Sequence, residues 1–361
     1  RRESIMSKKS LCFAAVTLLA LVGCNKPESG PKEIAVFGPK ADHGWTGAVL
    51  TDIQDKAKEL NAAQSDYKYV VYSDADAEAQ AKSVDDVLAK KKSVAGIVIQ
   101  PSSNEAESTV TKIAQSGLPF VQFDRIITND AVKAAEKSNI SNVKGDNYSS
   151  GVASANRFIA KGLTKGDKIL GRPGDNSSVP GERTSGFTDT LKAKGWSEQD
   201  IKNDITFTDY TGWSRDTSIT LFETFVNGKS VEELKQYKWF YTHDSEITMG
   251  ILQALTGNNI TQDRKDVIAQ NVKGLVGCGG LEEVYQVIRG DHPRSAQFNA
   301  ALPKCDIVDV TYDPGMMAVA RQDMADYLAG KTVTKDHVIA SEAVTKDNIA
   351  GKTGFGGKVK A

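Results

Sequence analysis

Short apolar segments return along this chain roughly every 25 to 35 residues, and each is followed by a stretch with helical spacing. Residues 34–37, 69–72, 96–99 and 119–123 are such segments, and they are rich in β-branched and aromatic side chains. Between them, Val49, Ile53, Ala57 and Leu60 mark one helical face, Val84, Val87 and Leu88 a second, and Val110, Ile113 and Ala114 a third that Gly117 and Pro119 close. Apolar strands that alternate with amphipathic helices need cover on both sheet faces, which predicts a mostly parallel sheet. The alternation restarts after about residue 140, with strand segments at 168–170, 205–208, 239–241, 274–277 and 307–312. Helical spacing fills 151–161, 181–194, 216–227, 246–255, 281–289 and 316–328. The fold class that follows is α/β, in two doubly wound lobes of similar size.

The first strand is preceded by a different kind of segment. An apolar run over residues 11–22 follows Lys8 and Lys9 and ends in Leu21-Val22-Gly23-Cys24. This order of charge, short apolar core and small residue is that of a secretory signal, and the run is too short to span a bilayer. A cysteine at the cut makes it a bacterial lipoprotein signal, with cleavage before Cys24 and conversion of its thiol to a diacylglyceryl thioether. Each buried CH2 of an acyl chain contributes about 0.8 kcal/mol, so one chain holds weakly and several hold firmly. Residues 1–23 are thus expected to be a signal peptide, with 1–5 upstream of a start at Met6. Residues 24–32, with Pro27, Ser29, Gly30 and Pro31, are expected to form a flexible tether.

The roughly 335 residues that remain suit two lobes better than one core. A net charge of -1, from 45 basic and 46 acidic residues, gives no reason to expect nucleic acid as a partner. His43, His243, His292 and His337 are scattered without metal-ligand spacing, and no cofactor is expected. Cys278 and Cys305 either pair or stay as free thiols, since spacing along the chain does not supply their distance. The motifs of serine hydrolases, P-loop enzymes and dinucleotide-binding enzymes are missing, so no enzymatic activity is expected. Gly277-Cys278-Gly279-Gly280 reads as a turn at a strand end.

Open parallel sheets bind ligands at the carboxyl ends of their strands. There the chain places Trp45, Asp124-Arg125, Asp244 and Tyr312. A neutral polyhydroxylated ligand needs anionic acceptors, planar donors and flat aromatic faces. Asp124, Asp244, Arg125 and Arg183 supply the polar groups, and Trp45 and Trp213 supply the faces. Trp239, inside a strand segment, is expected in the core, and Trp196 at a helix end. Each candidate has a plainer use. Asp124 and Arg125 would make an ordinary ion pair, Arg183 would be solvated, Trp45 would pack, and Asp244 would cap the helix near Glu246.

Seven segments, in order, carry a family resemblance. They are Gly96-Ile-Val-Ile-Gln-Pro101, Leu118-Pro-Phe-Val-Gln-Phe-Asp-Arg125, Gly145-Asp-Asn-Tyr148 with Gly151, Gly181-Glu-Arg-Thr-Ser-Gly-Phe187, Thr242-His-Asp-Ser-Glu-Ile-Thr-Met-Gly250, Thr311-Tyr-Asp-Pro314 and Leu328-Ala-Gly-Lys331. Over roughly residues 33–347 the chain resembles the type I periplasmic substrate-binding proteins of sugar ABC transporters. The segments Phe123-Asp-Arg-Ile-Ile127 and Pro173-Gly-Asp-Asn176 look most like the branch that binds xylose and related aldoses. The resemblance implies two lobes joined by a three-strand hinge, residues 33–137 with 313–338 forming one and 138–312 with 339–361 the other.

It also implies roles for single residues. Asp124 and Arg125 would hold sugar hydroxyls and the ring oxygen, Arg183 would reach in from the second lobe, and Trp213 would stack on the sugar. Trp45 sits where the family often has an aromatic, and Asn176 is a weaker match, with one residue too many before Arg183. Asp244 stands where Asn is usual, Tyr312 where Gln or Asn is common, and Gly279 where many members have an acid, a role that Glu282 or Glu283 would then take. The implied protein is a monomeric, lipid-anchored monosaccharide-binding component of an ABC importer. It would work in the periplasm or at the cell surface with a permease of the inner membrane. Alternatives are a binding protein for a nucleoside or a furanose signal, or a sensor that presents its ligand to a chemoreceptor or kinase.

Overall fold

A computed structural model describes residues 30–41, 44–63 and 66–360, and Pro31–Ala361 form one compact unit. Cys24 and the residues assigned to the signal lie outside the described residues. The described residues form twelve strands: β1 Lys32–Gly38, β2 Tyr67–Ser73, β3 Val94–Ile99, β4 Phe120–Phe123, β5 Asn139–Gly145, β6 Lys168–Arg172, β7 Ile205–Phe207, β8 Tyr237–Thr242, β9 Gly274–Gly279, β10 Asp306–Thr311, β11 Asp336–Ile339 and β12 Ala343–Val344. They make two six-stranded sheets. The first has the order β2-β1-β3-β4-β5-β11, and every pairing in it is parallel. The second has the order β7-β6-β8-β9-β10-β12, parallel except for the antiparallel pair of β10 with β12. All residues of β3 and β9 are buried, as strands covered by helices on both faces must be. The α/β class with two doubly wound lobes is what the sequence pattern implied.

Three crossings join the lobes. They follow Gly145, Thr311 and Ile339, because β5 and β11 pair within the first sheet while β10 and β12 pair within the second. The first crossing therefore comes after β5 and not near residue 137. The segment 139–145 is a weak strand signal because Asn, Ser, Lys and Gly interrupt its apolar residues. It is nevertheless held in the sheet by burial of Ile140 and Val143 and by the Ser141 hydroxyl, which donates to Asp323 at 2.5 Å. Between the last two crossings, the helix Met316–Leu328 returns to pack on β3, β4 and β5. Met324 lies directly over Gly96, where a Cβ would stand 2.4 Å from its sulfur.

The helices at 151–161, 181–194, 216–227, 246–255, 281–289 and 316–328 are found within a few residues of those bounds. Short helices at Glu198–Asp204, Gln262–Asn271 and Ser295–Ala301 were not anticipated. The first of them starts from a polar cap, the reciprocal box of Ser197 and Asp200.

The helices Asn147–Ala160 and Ser178–Ala193 touch backbone to backbone. A Cβ on Gly151 would lie 2.0 Å from the Arg183 carbonyl oxygen, and one on Gly186 would lie 1.9 Å from that of Tyr148. Only glycines permit this approach, and it sets Arg183 beside Asn147. A single methyl here must push the helices apart, and overpacking of that kind costs about 1–3 kcal/mol. Gly151→Ala is therefore predicted to lower the denaturant midpoint without changing the m-value, measured by urea unfolding followed by circular dichroism.

Candidate functional site

Seven of the eight sequence-designated residues surround one small cavity: Trp45, Asp124, Arg125, Arg183, Trp213, Asp244 and Tyr312, joined by Thr46 and Val179. The cavity measures about 20 Å³. That is room for about one water molecule, which occupies roughly 10–15 Å³ on the same measure. The eighth residue, Asn176, does not reach it. It is exposed, and its backbone carbonyl accepts from Asn104 Nδ2 at 2.6 Å across the cleft.

Backbone geometry sets this site apart. Among the described residues, the non-glycine residues with positive φ are Asp124 (63°) and Trp213 (62°). Left-handed backbone is unfavourable for a residue with a Cβ and persists where surrounding structure enforces it. Asp124 is held by its amide, which donates to the Val143 carbonyl at 2.8 Å, and by the next amide, which donates back to Phe123 at 2.8 Å. Trp213 sits in a loop pinned by Thr211 and Gly212, which donate to the Pro173 and Gly174 carbonyls at 3.1 and 2.7 Å. Gly174 leaves the space that the indole fills, since a Cβ there would stand 2.3 Å from the ring.

The polar groups of the two lobes are already bonded to each other. Tyr312 donates its hydroxyl to Asp124 at 2.6 Å, and Gln100 Nε2 donates to the other carboxylate oxygen. Burial first, and the Asp124 charge second, push the Tyr312 phenol far above its ordinary range, so it remains a donor. Arg125 lies 3.8 Å from Asp124 but turns outward, donating to the Ser102 carbonyl and reaching Asp175 of the second lobe at 3.0 Å. The plain ion pair is thus only part of what Arg125 does. Arg183 is buried, not solvated: Nε donates to Asn147 Oδ1 at 3.0 Å and Nη1 to the His243 carbonyl. Its guanidinium stands 4.6 Å from the Tyr312 ring centre and 5.9 Å from that of Trp213, in cation–π range. Trp45 donates its indole N–H to the Tyr312 carbonyl at 3.0 Å. Asp244 caps the helix Ser245–Thr256 through the Glu246 amide at 2.7 Å while also facing the cavity.

Gln100, Asn147 and Asp175 were not singled out as site residues, although each lies in one of the segments that carry the resemblance. Their position at a strand end or helix start was the available signal. Trp239 is fully buried in β8, and Trp196 packs into the core beyond the helix Ser178–Ala193.

Residues 34–332 match the family model described as periplasmic binding protein domain. The chain belongs to the periplasmic binding protein family. No curated sequence matches it. Among solved structures, it is similar to an ABC transporter solute-binding protein from Mycobacterium smegmatis with bound glycerol, at 18% identity and a TM-score of 0.68, covering 91% of this chain and 100% of that one. A galactofuranose-binding protein is similar at 18% identity and a TM-score of 0.67, with 88% and 96% covered. So is a solute-binding protein from Agrobacterium vitis with bound D-fucose, at 18% and 0.66, with 88% and 97% covered. At these identities the likeness establishes the fold.

In this periplasmic binding protein, the position of the missing acid has a physical explanation. A Cβ on Gly279 would stand 2.4 Å from Ser245 Oγ, so that space is occupied. Glu282 and Glu283 do not take over the role. Glu282 bonds Arg289 and the Gly354 amide, and Glu283 bonds Arg215 at 2.6 Å. Asp309, fully buried on β10, accepts from Ser245 Oγ at 2.9 Å and from the Gly280 amide at 2.7 Å. Burial raises its pKa to about 7 against these hydrogen bonds, which lower it. Cys278, also buried, is raised to about 11, which leaves it a thiol at neutral pH, and neither it nor Cys305 is in a disulfide. Among the described residues no cluster could hold a metal ion, and no helix is long and apolar enough to cross a membrane.

The raised Asp309 pKa has a definite sign. A carboxyl titrating near 7 when folded and near 4 when unfolded favours folding below about pH 4, and that contribution is lost as pH rises through about 7. Asp309→Asn keeps the acceptor for Ser245 and removes the titration. Thermal unfolding from pH 4 to 8 should therefore show a shallower loss of stability at the upper end for the variant than for the parent.

Proposed function

We propose that the protein is the sugar-capturing component of an ABC importer and performs no chemistry of its own. The observation that carries this reading is the shared cavity. A carboxylate and a guanidinium from the first lobe, Asp124 and Arg125, meet a guanidinium and a carboxylate from the second, Arg183 and Asp244, between Trp45 and Trp213. Charged donors and acceptors make strong hydrogen bonds to hydroxyls, and indole faces cover the apolar C–H patches of a sugar ring. The bound ligands of the similar structures, glycerol and D-fucose, are polyhydroxylated, which supports this reading.

Function then follows from exchange of bonds. The cavity of about 20 Å³ is too small for a monosaccharide while the lobes are bonded to each other. A sugar enters when the lobes part. It replaces the Tyr312–Asp124 and Arg125–Asp175 contacts with its own hydroxyls, and the lobes close over it. Because only closure lets Asp124 and Arg183 bond the same molecule, the ligand stabilises the closed form, and that form is the one a permease would recognise. The segment ending at Cys24 supports lipid anchoring of the unit in the periplasm or at the cell surface.

The test is calorimetric titration of residues 31–361, refolded free of carried ligand, with glucose, galactose, xylose, arabinose, ribose, fructose and two nucleosides. One-to-one binding of a monosaccharide is expected. A hydrogen bond to a charged group contributes about 1.5–3 kcal/mol, so Asp124→Ala should weaken binding roughly 10- to 150-fold. Heat with a nucleoside and none with any sugar would sink the sugar reading and leave the family intact.

A further inference from the structure

Beside the inner cavity lies a second one of about 280 Å³, more than tenfold larger, which shares Thr46, Arg125 and Trp213 with it. Its walls come from the carboxyl ends of β1, β2 and β3 in the first lobe, and it meets the second lobe at Asp175, Gly212 and Trp213. Resting on the sugar-binding reading above, we propose that the ligand is a carbohydrate of two linked units: one unit in the inner site, and the other in this outer chamber.

Three observations carry the proposal. The first is unmet hydrogen-bonding capacity. Gln100, only 1% exposed, lines the chamber with its Oε1 atom unpartnered. Buried atoms of two other lining residues, Asp74 Oδ2 and Ser102 Oγ, likewise have no hydrogen-bond partner, and Arg125 Nε has only the Asp124 carboxylate, at 3.8 Å. Buried polar atoms are normally hydrogen-bonded, and here residues with unmet capacity gather on the wall of one cavity. The second is continuity. Trp213 and Arg125 belong to both cavities, so one indole and one guanidinium can serve adjoining units across a glycosidic link. The third is room: the inner cavity is crowded by Tyr312, whose ring abuts Gly145 so closely that a Cβ there would lie 2.2 Å away. The outer chamber has no such occupant.

Charge selects among outer units. Asp74, Asp76, Glu105 and Asp175 oppose Lys40 and Arg125 along the chamber. Asp76 is already committed to capping the helix Ala77–Ala89, and Asp175 to Arg125. The balance disfavours a phosphorylated or uronic outer unit and suits a neutral one.

The test compares neutral disaccharides (maltose, cellobiose, lactose and melibiose) with glucose and galactose by calorimetry on the full chain in detergent. Two variants on the chamber wall are used, Asp74→Ala and Ala75→Trp, both outside the inner site. A disaccharide should bind at least tenfold more tightly than either of its monosaccharides. Asp74→Ala should weaken disaccharide binding about tenfold or more while changing monosaccharide binding less than twofold. Ala75→Trp should act in the same direction by filling the chamber. The proposal is overturned if a monosaccharide binds as tightly as every disaccharide, or if both variants leave disaccharide binding unchanged. Absence of binding by any saccharide would instead overturn the sugar reading on which the proposal rests.

Discussion

Tyr312 is the contact on which the two lobes depend. It follows β10 at the second crossing, and it touches both sides of the cleft at once. Its hydroxyl donates to Asp124 of the first lobe at 2.6 Å, and its carbonyl accepts from Trp45 at 3.0 Å. Its ring lies under Arg183 of the second lobe, and Asn147 Nδ2 approaches its oxygen at 3.4 Å. Gly145, at the first crossing, is the residue that lets this ring pass. A desolvated carboxylate and a desolvated guanidinium would each be costly alone. Arranged around one phenol, they satisfy much of each other's need and remain poised to exchange it for a ligand.

The backbone is strained at the same place. Asp124 and Trp213 both sit in left-handed backbone, one at a strand end in the first lobe and one in a loop of the second. The first lobe fixes Asp124 through the neighbouring strand, and the second fixes Trp213 through the loop after β6. Neither arrangement serves packing alone, because each turns a side chain toward the cleft. Further bonds span the cleft at its rim, from Lys144 to Glu182 at 3.0 Å and from Asn104 to the Asn176 carbonyl at 2.6 Å. Exposed pairs of this kind contribute little, on the order of 0–1 kcal/mol, and yield readily when the lobes part.

Much of this was legible in the sequence. The strand and helix periods were strong wherever apolar residues ran unbroken, as in Val94–Ile99, and the candidates Asp124, Arg125, Asp244 and Tyr312 stood just beyond strand ends, where open parallel sheets bind ligands. What was hidden depended on contacts far apart in the chain. β5 is a strand because Met316–Leu328, returning nearly two hundred residues later, covers it and because Asp323 satisfies Ser141. The buried Asp309, bonded to Ser245 from a neighbouring strand, is a contact that no spacing along the chain could reveal. Asn176 was suggested by the resemblance alone, and it is its neighbour Asp175 that bonds Arg125.

The central claim is that a sugar holds the lobes together by replacing bonds they make with each other. Distance measurement between spin labels tests it most directly. Labels at Lys112→Cys in the first lobe and Lys192→Cys in the second, in a Cys305→Ser background that leaves only buried Cys278, would report the separation of the lobes in residues 31–361. The account predicts a broad distribution without sugar that narrows to one short distance at saturation, and a return to the broad form in Asp124→Ala. A distribution that saturating sugar leaves unchanged would contradict it.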